Sequence, residues 1–152
     1  MKKILENLIK EGLLQKESAI GFDQTIKRIK RAGIDLNNAK LLIKTDEVGA
    51  YRMAYDSMLQ AGIALIFFFG YRPKVKGFHK TVVECAGGIL GADYESLIKK
   101  FDQMRKNRHE AIYDIGVISS SEAVESIKMA EKFLKEISCY IKERNPQKEL
   151  FR

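Results

Sequence analysis

Apolar residues recur at intervals of three and four along most of the chain, which places them on one face of an α-helix. The strongest pattern covers residues 47–69, which begin amphipathic and end in two turns that are apolar on every side. Small residues within it allow neighbouring helices to approach closely. This pattern predicts the central helix of a bundle.

Further helices are predicted before and after this segment, and no segment shows the two-residue alternation of a strand. The predicted helical ranges are 4–13, 23–33, 36–43, 78–90, 93–115 and 119–141. The second and third of these either stand apart or form one helix kinked near Gly33. Asp23 and Asp93 are candidate N-caps, Gly91 is a helix stop, and Ser119 with Glu122 forms a capping box.

The pattern therefore predicts an all-α, single-domain, up-and-down bundle of five to six helices. We place an N-terminal helix in residues 1–17, the bundle in residues 18–143 and a charged tail in residues 144–152, all in one domain. A hydrophobic fraction of 45% and a charged fraction of 31% are those of an ordinary folded protein. The longest apolar run, residues 61–70, is half of the roughly 20 residues that cross a bilayer. We expect a soluble, cytoplasmic protein without membrane association.

The two cysteines, Cys85 and Cys139, are too few for a disulfide framework and lack the spacing of a zinc site, so we expect reduced thiols in the core. No cluster of acids and histidines has metal-ligand spacing. We predict neither a metal nor a cofactor.

The net charge of +7 makes a polyanion a plausible partner, and the position of the charges sharpens this expectation. On a helical wheel of residues 93–115, Arg108 falls near the centre of the apolar face. A buried guanidinium is costly unless it is paired, reaches solvent, or faces a cleft or partner. Arg105, His109 and Tyr113 follow one flank at four-residue spacing. This combination suits a phosphodiester or nucleotide, because arginine binds phosphate bidentately and the rings can donate, accept or stack.

Residues 70–80 form the densest basic stretch without an acid, and we interpret it as an electrostatic guide for a nucleic-acid backbone. The alternative is an ordinary solvated connection between helices. The candidate binding residues there are Arg72, Lys74, Lys76, His79 and Lys80.

Residues 101–114, which read FDQMRKNRHEAIYD, resemble the late-helix motif of HEPN domains (higher eukaryotes and prokaryotes nucleotide-binding). That motif is an arginine, a polar residue and a histidine five positions after the arginine. Arg108 matches the arginine and His109 the polar position, while Tyr113 stands where the family has histidine. Residues 50–70, the turn 70–73 and the helix start at 77–80 are also similar to HEPN sequences, so the resemblance covers residues 18–143.

The resemblance implies a helical bundle that commonly forms homodimers, with the motif arginines beside a cleft at the interface. Some members are metal-independent ribonuclease toxins or defence effectors, in which a ribose 2′-hydroxyl attacks the adjacent phosphate. These are often encoded beside a nucleotidyltransferase-type antitoxin. Other members lack the full motif and bind RNA, nucleotides or proteins without catalysis.

We expect a module that binds RNA or a nucleotide through Arg105 and Arg108, related to toxin–antitoxin or defence systems. The nuclease motif is degenerate, because an unperturbed phenol with a pKa of about 10 is a poor base at neutral pH. One alternative is an active metal-independent ribonuclease that uses Arg108, His109 and Tyr113. Another is a non-catalytic module that partners a nucleotidyltransferase-like protein. In a third, Arg108 merely pairs with an acid such as Asp56.

Overall fold

The computed structural model describes residues 1–113 and 118–145, with the side chains of residues 109–113 excepted. These residues form six α-helices, one 3₁₀ turn and two short strands. In chain order they are α1 (Lys2–Lys10), β1 (Leu14–Lys16), α2 (Phe22–Leu42), α3 (Glu47–Phe68), β2 (Tyr71–Pro73), α4 (Phe78–Leu90), the 3₁₀ turn Ala92–Tyr94, α5 (Glu95–Tyr113) and α6 (Ser120–Arg144). The predicted all-α helical bundle is confirmed.

Helix α3 is the centre of the bundle, as its apolar pattern predicted. It packs against α2, α4, α5, α6 and β2. Its C-terminal half is buried on nearly every side, from Leu59 through Phe67 apart from the half-buried Gln60. Residues of α3 therefore contact several elements, and side chains that are distant in sequence meet around this helix.

Helix α2 is continuous through Gly33, so the single-helix alternative is correct. A buried hydrogen bond joins it to α3, because the Ser57 hydroxyl donates to the carbonyl oxygen of Ala32 at 2.7 Å. Ala32 and Ala39 are fully buried, and their small side chains allow the two helices to approach closely.

The helix ends confirm one predicted cap and correct two others. The Ser119 hydroxyl accepts a hydrogen bond from the backbone N–H of Glu122 at 3.1 Å, which confirms the predicted start of α6. Asp93 is not an N-cap, because it lies inside the 3₁₀ turn and α5 begins at Glu95. Asp23 is not an N-cap either, because it is the second residue of α2. Gly91 ends α4 with a φ of +85°, a conformation that favours glycine.

Two strands form where the sequence indicated none. Strand β1 pairs antiparallel with β2, with Leu14 opposite Pro73 and Lys16 opposite Tyr71. Each strand is only three residues long, which is too short to display an alternating pattern. The pairing shortens the predicted first helix, which ends at Lys10.

The expectation of two core thiols is right for Cys85, which is buried, and wrong for Cys139, which is exposed on α6. Burial raises the pKa of the Cys85 thiol. Cys139 lies in an apolar stretch of sequence, but the helix turns it away from the core. The predicted end of α5 at Ile115 and residues 146–152 of the charged tail lie outside the described residues.

Candidate anion-binding site

The side chain of Tyr55 forms the floor of the candidate site. Its side chain lies on α3 and is fully buried, with its ring centroid 5.8 Å from that of Phe101 on α5. A buried phenol needs a hydrogen-bond partner for its hydroxyl group. The partner is His79, the second residue of α4, whose Nδ1 lies 2.7 Å from the Tyr55 hydroxyl oxygen. The two rings are nearly parallel, with an angle of 9° between their planes.

Arg108 extends from α5 over the Tyr55 ring, with its guanidinium carbon 5.5 Å from the ring centroid. This is a cation–π distance. Its Nε lies 3.8 Å from Oδ1 of Asp56, at the outer limit of an ion pair. The same Nε is buried and forms no hydrogen bond within the described part of the chain. Because 27% of the side chain is exposed, Arg108 is an anchored cation that solvent still reaches and that lacks a close carboxylate.

This geometry resolves the alternatives for Arg108. The predicted pairing with Asp56 exists, but at a distance that leaves the guanidinium incompletely satisfied. The arginine is not sealed in the core, since it packs against one aromatic face and keeps an exposed part.

Arg105 lies one turn before Arg108 and has a closer partner. Its Nε is 2.8 Å from Oδ1 of Asp102, and Nζ of Lys106 is 3.3 Å from the other oxygen of the same carboxylate. These two cations hold the pKa of Asp102 below its usual range. The positive charge of Arg105 nevertheless lowers the pKa of His79, so both predicted arginines influence the same imidazole.

The protonation states at the site follow from burial and from these charges. Burial lowers the pKa of His79, and the positive charges of Arg108 and Arg105 lower it further. Burial also raises the pKa of Tyr55. The phenol therefore stays protonated and the imidazole neutral. When the Tyr55 hydroxyl donates to Nδ1, the imidazole keeps its own proton on Nε2, and in this tautomer His79 is a hydrogen-bond donor toward the site.

Asp56 is the acid paired with Arg108 within the described residues. Burial raises the pKa of Asp56, Arg108 opposes this rise, and the negative charge of Asp35 adds to it. His79 lies in the first turn of α4, where the helix dipole favours an anion.

The other predicted binding residues are dispersed. Arg72 lies in β2 near the C-terminal end of α3, where its Nε is 3.8 Å from Oε2 of Glu17. Lys80 pairs with Glu84 at 3.8 Å, and Lys74 and Lys76 are exposed. Residues 70–80 contain no acid, but the fold places Glu17, just after β1, near Arg72, and Glu84, one turn later in α4, near Lys80.

Lys80 and Arg105 both line an open groove of about 740 Å³ between α4 and α5. Lys99 and Lys106 contribute to the same groove, together with acidic residues on both helices. Arg105 therefore connects the Arg108 site to a second charged surface.

Sequence reasoning missed Tyr55 as a site residue, because its position in the apolar stripe of α3 indicated core packing alone. Its hydroxyl group was the available signal, since a tyrosine in a fully buried position must find a partner. The side chains of His109 and Tyr113 lie outside the described residues.

Within residues 1–108 and 118–145, no three His, Cys, Asp or Glu side chains are grouped so as to hold a metal ion. None of the helices in the described ranges combines the length and apolarity that crossing a bilayer requires.

Comparison with known families agrees with the helical bundle. The sequence model of the HEPN domain matches residues 26–142. The chain belongs to the HEPN domain family. The match runs from α2 to α6, so the HEPN domain includes Tyr55, His79 and Arg108. The resemblance drawn from the motif is thereby confirmed, and it places the chain among nucleotide-binding and ribonuclease-like modules. No curated protein shows significant similarity to the chain.

Proposed function

We propose that this HEPN domain binds RNA or a nucleotide, with a phosphate group held by Arg108, Arg105 and His79. The observation that carries the proposal is the state of Arg108. Its guanidinium is fixed over the Tyr55 ring, yet the nearest carboxylate oxygen is 3.8 Å from Nε and that nitrogen has no hydrogen bond within the described residues. A phosphate oxygen can supply the close, charge-assisted contacts that this guanidinium lacks.

The neighbouring groups support an anionic ligand. Neutral His79 offers a hydrogen bond from Nε2, and Arg105 adds a positive charge beside it. Lys74, Lys76 and Lys80 raise the local concentration of a polyanion without fixing its sequence. This arrangement explains why the excess of basic residues is useful to the protein.

Binding without cleavage is the activity that we propose. When Nδ1 of His79 accepts from the Tyr55 hydroxyl, Nε2 carries the proton and cannot take another from a ribose hydroxyl. Tyr113 occupies the motif position where the family has histidine. A homodimer, a toxin–antitoxin or defence role and a nucleotidyltransferase-like partner are further parts of the proposal that rest on family membership.

The test is fluorescence anisotropy of the full chain with labelled single-stranded RNA and with labelled mononucleotide, at low salt and in EDTA. We expect Arg108→Ala to weaken binding about tenfold to a hundredfold, the loss typical of a hydrogen bond to a charged group. Lys132→Ala removes the same charge from an exposed position on α6 and is the matched control. Circular dichroism checks that both variants are folded.

Three results would contradict this proposal. The first is an unchanged dissociation constant for Arg108→Ala, and the second is no binding by the unaltered protein at low salt. The third is cleavage of the RNA in EDTA that disappears with Arg108→Ala, which would establish the metal-independent ribonuclease instead.

A further inference from the structure

A second pair of arginines lies toward the C-terminal end of α3. The guanidinium carbons of Arg28, from α2, and Arg72, from β2, lie 5.4 and 5.0 Å from the ring centroid of Phe67. The Phe67 ring thus lies at cation–π distance from two guanidinium groups whose elements are far apart in sequence. Phe67 itself is buried, with 5% of its surface exposed, so the guanidiniums cover it.

Within the described residues, only one of these two cations has a carboxylate within 4 Å. Arg28 donates from Nη1 to the neutral amide oxygen of Gln60 at 2.9 Å. Arg72 has the carboxylate of Glu17, at 3.8 Å. Burial lowers the pKa of Arg28, and the positive charge of Arg72 lowers it further because the two guanidiniums repel each other. A phosphate group in contact with both guanidiniums would offset this repulsion.

The pair is aligned with the Arg108 site along one face of α3. Asp56, Gln60 and Phe67 point within about 40° of one another around the helix axis. Asp56 contacts Arg108, Gln60 contacts Arg28, and Phe67 carries both Arg28 and Arg72. At 1.5 Å per residue, Asp56 and Phe67 are about 16 Å apart along the axis. One phosphate cannot reach both ends, but a polynucleotide strand can.

We propose that Arg28 and Arg72 form a second phosphate subsite, and that the ligand is a single polynucleotide strand lying along α3 from Arg108 to Arg72. The inference rests on the proposed function, because it takes the Arg108 site as one end of the strand. It adds that the ligand is several nucleotides long. At the roughly 3.4 Å per nucleotide of one duplex strand, 16 Å corresponds to about five nucleotides, and to fewer in an extended strand.

Arg31 lies between the two subsites on α2 and differs from both. Its Nη2 is 2.7 Å from a carboxylate oxygen of Asp35, so its charge already has a close partner. Arg108 and Arg72, by contrast, lie 3.8 Å from the carboxylates of Asp56 and Glu17. This contrast distinguishes them from Arg31, whose charge is already closely paired.

The experiment measures affinity against strand length, using uridine oligonucleotides of one, two, three, five and eight residues and a deoxyuridine series as a second arm. For the unaltered protein, affinity should rise with length and level off near five nucleotides. The Arg28→Ala, Arg72→Ala double variant should bind the mononucleotide within about twofold of the unaltered protein. It should bind the eight-residue strand at least tenfold more weakly.

Control variants separate the contributions. Arg28→Lys with Arg72→Lys keeps both charges and removes both planar forks, and it should lose part of the length effect. Lys132→Ala should follow the unaltered protein at every length. Arg108→Ala should weaken binding of short and long strands alike. Thermal melts of each variant check that the fold is retained.

The outcomes distinguish the two proposals. If the double alanine variant matches the unaltered protein at every length while Arg108→Ala weakens binding, the second subsite is wrong and the proposed function stands. Equal weakening of mononucleotide and long strand by the double variant also overturns the subsite. If no oligonucleotide binds the unaltered protein, both proposals fail.

Discussion

Arg108 interrupts the apolar face of α5, and the structure shows how its charge is accommodated. The Tyr55 ring supports the guanidinium, Asp56 lies beside it, and part of the side chain remains exposed. Leu97, Phe101 and Met104 on the same helix are buried, as the wheel predicted. The sequence could identify the unusual position of Arg108. It could not identify Tyr55 or His79 as its neighbours, because these residues come from two other helices.

The pKa of His79 is the sharpest test at the scale of residues. We expect it below the unperturbed value of about 6.5, because burial and two arginines disfavour the imidazolium ion. Arg108→Ala should raise it by removing one of these charges. Nuclear magnetic resonance titration of the imidazole C–H signals measures it, in a His109→Gln background that leaves His79 as the single histidine.

The lowered pKa of His79 also makes the free energy of unfolding depend on pH. Because the unfolded state takes up the proton first as pH falls, the stability that neutral His79 contributes is present above about pH 6.5. It is lost as pH falls through that value toward the lower folded pKa. A His79 pKa at or above 6.5, or one that Arg108→Ala leaves unchanged, would contradict the burial of the imidazole ring beside the two arginines.

At the scale of elements, α3 depends on a close crossing with α4. A Cβ atom added at Gly62 would lie 2.5 Å from Cγ1 of Val82 and 3.7 Å from Cε2 of Phe101. Backbone contact at this point brings α4 against α3, and with it His79 against Tyr55. The small residues in the central segment predicted such an approach. They did not show which helix would make it.

Replacement of Gly62 by alanine tests this crossing. Helix propensity alone would favour alanine by about 0.5–1 kcal/mol. Overpacking against Val82 should reverse the sign and lower the free energy of unfolding by about 1–3 kcal/mol. Urea denaturation measures the change.

Gly33 is the matched control for that substitution. It lies inside α2, and a Cβ atom added there meets nothing within 4 Å. Gly33→Ala should therefore raise the free energy of unfolding by about 0.5–1 kcal/mol. Stabilisation by both substitutions would mean that α3 and α4 do not cross as closely as described.

At the scale of the whole molecule, the net charge of +7 matters through its placement. Many cations are paired with nearby acids, such as Lys40 with Glu131 and Lys99 with Glu95. Within the described residues, Arg28 has a neutral amide as its partner, and Arg72 and Arg108 each have a carboxylate at 3.8 Å. The fold places these three incompletely paired arginines along one side of α3.

Salt dependence reports how many of these charges meet phosphate. If the Arg108–Arg105 site and the Arg28–Arg72 subsite each hold one phosphate of a single strand, the slope of log K against log salt should be about −1.4. The Arg28→Ala, Arg72→Ala double variant should show about half that slope. Anisotropy titrations of the eight-residue strand between 50 and 300 mM salt measure both slopes. A slope near zero in the unaltered protein would contradict phosphate contacts along α3.

The sequence by itself determined most of the fold. The central helix, the stop at Gly91 and the cap at Ser119 depend on spacing and on neighbours within four residues, so local patterns report them. The HEPN resemblance followed from a motif within α5. The strands were missed because three residues are too few for a pattern, and Asp93 was misassigned because a 3₁₀ turn precedes α5.

Tertiary structure alone decided the site. Tyr55, His79 and Arg108 meet across separations of 24 and more residues, and Arg28 meets Arg72 across a similar gap. Such contacts depend on how helices pack around α3, which helix periodicity does not specify. The degree to which each arginine is paired likewise depends on acids brought from other elements. Sequence shows that the chain is basic and helical, whereas packing selects which of its cations are left for a ligand.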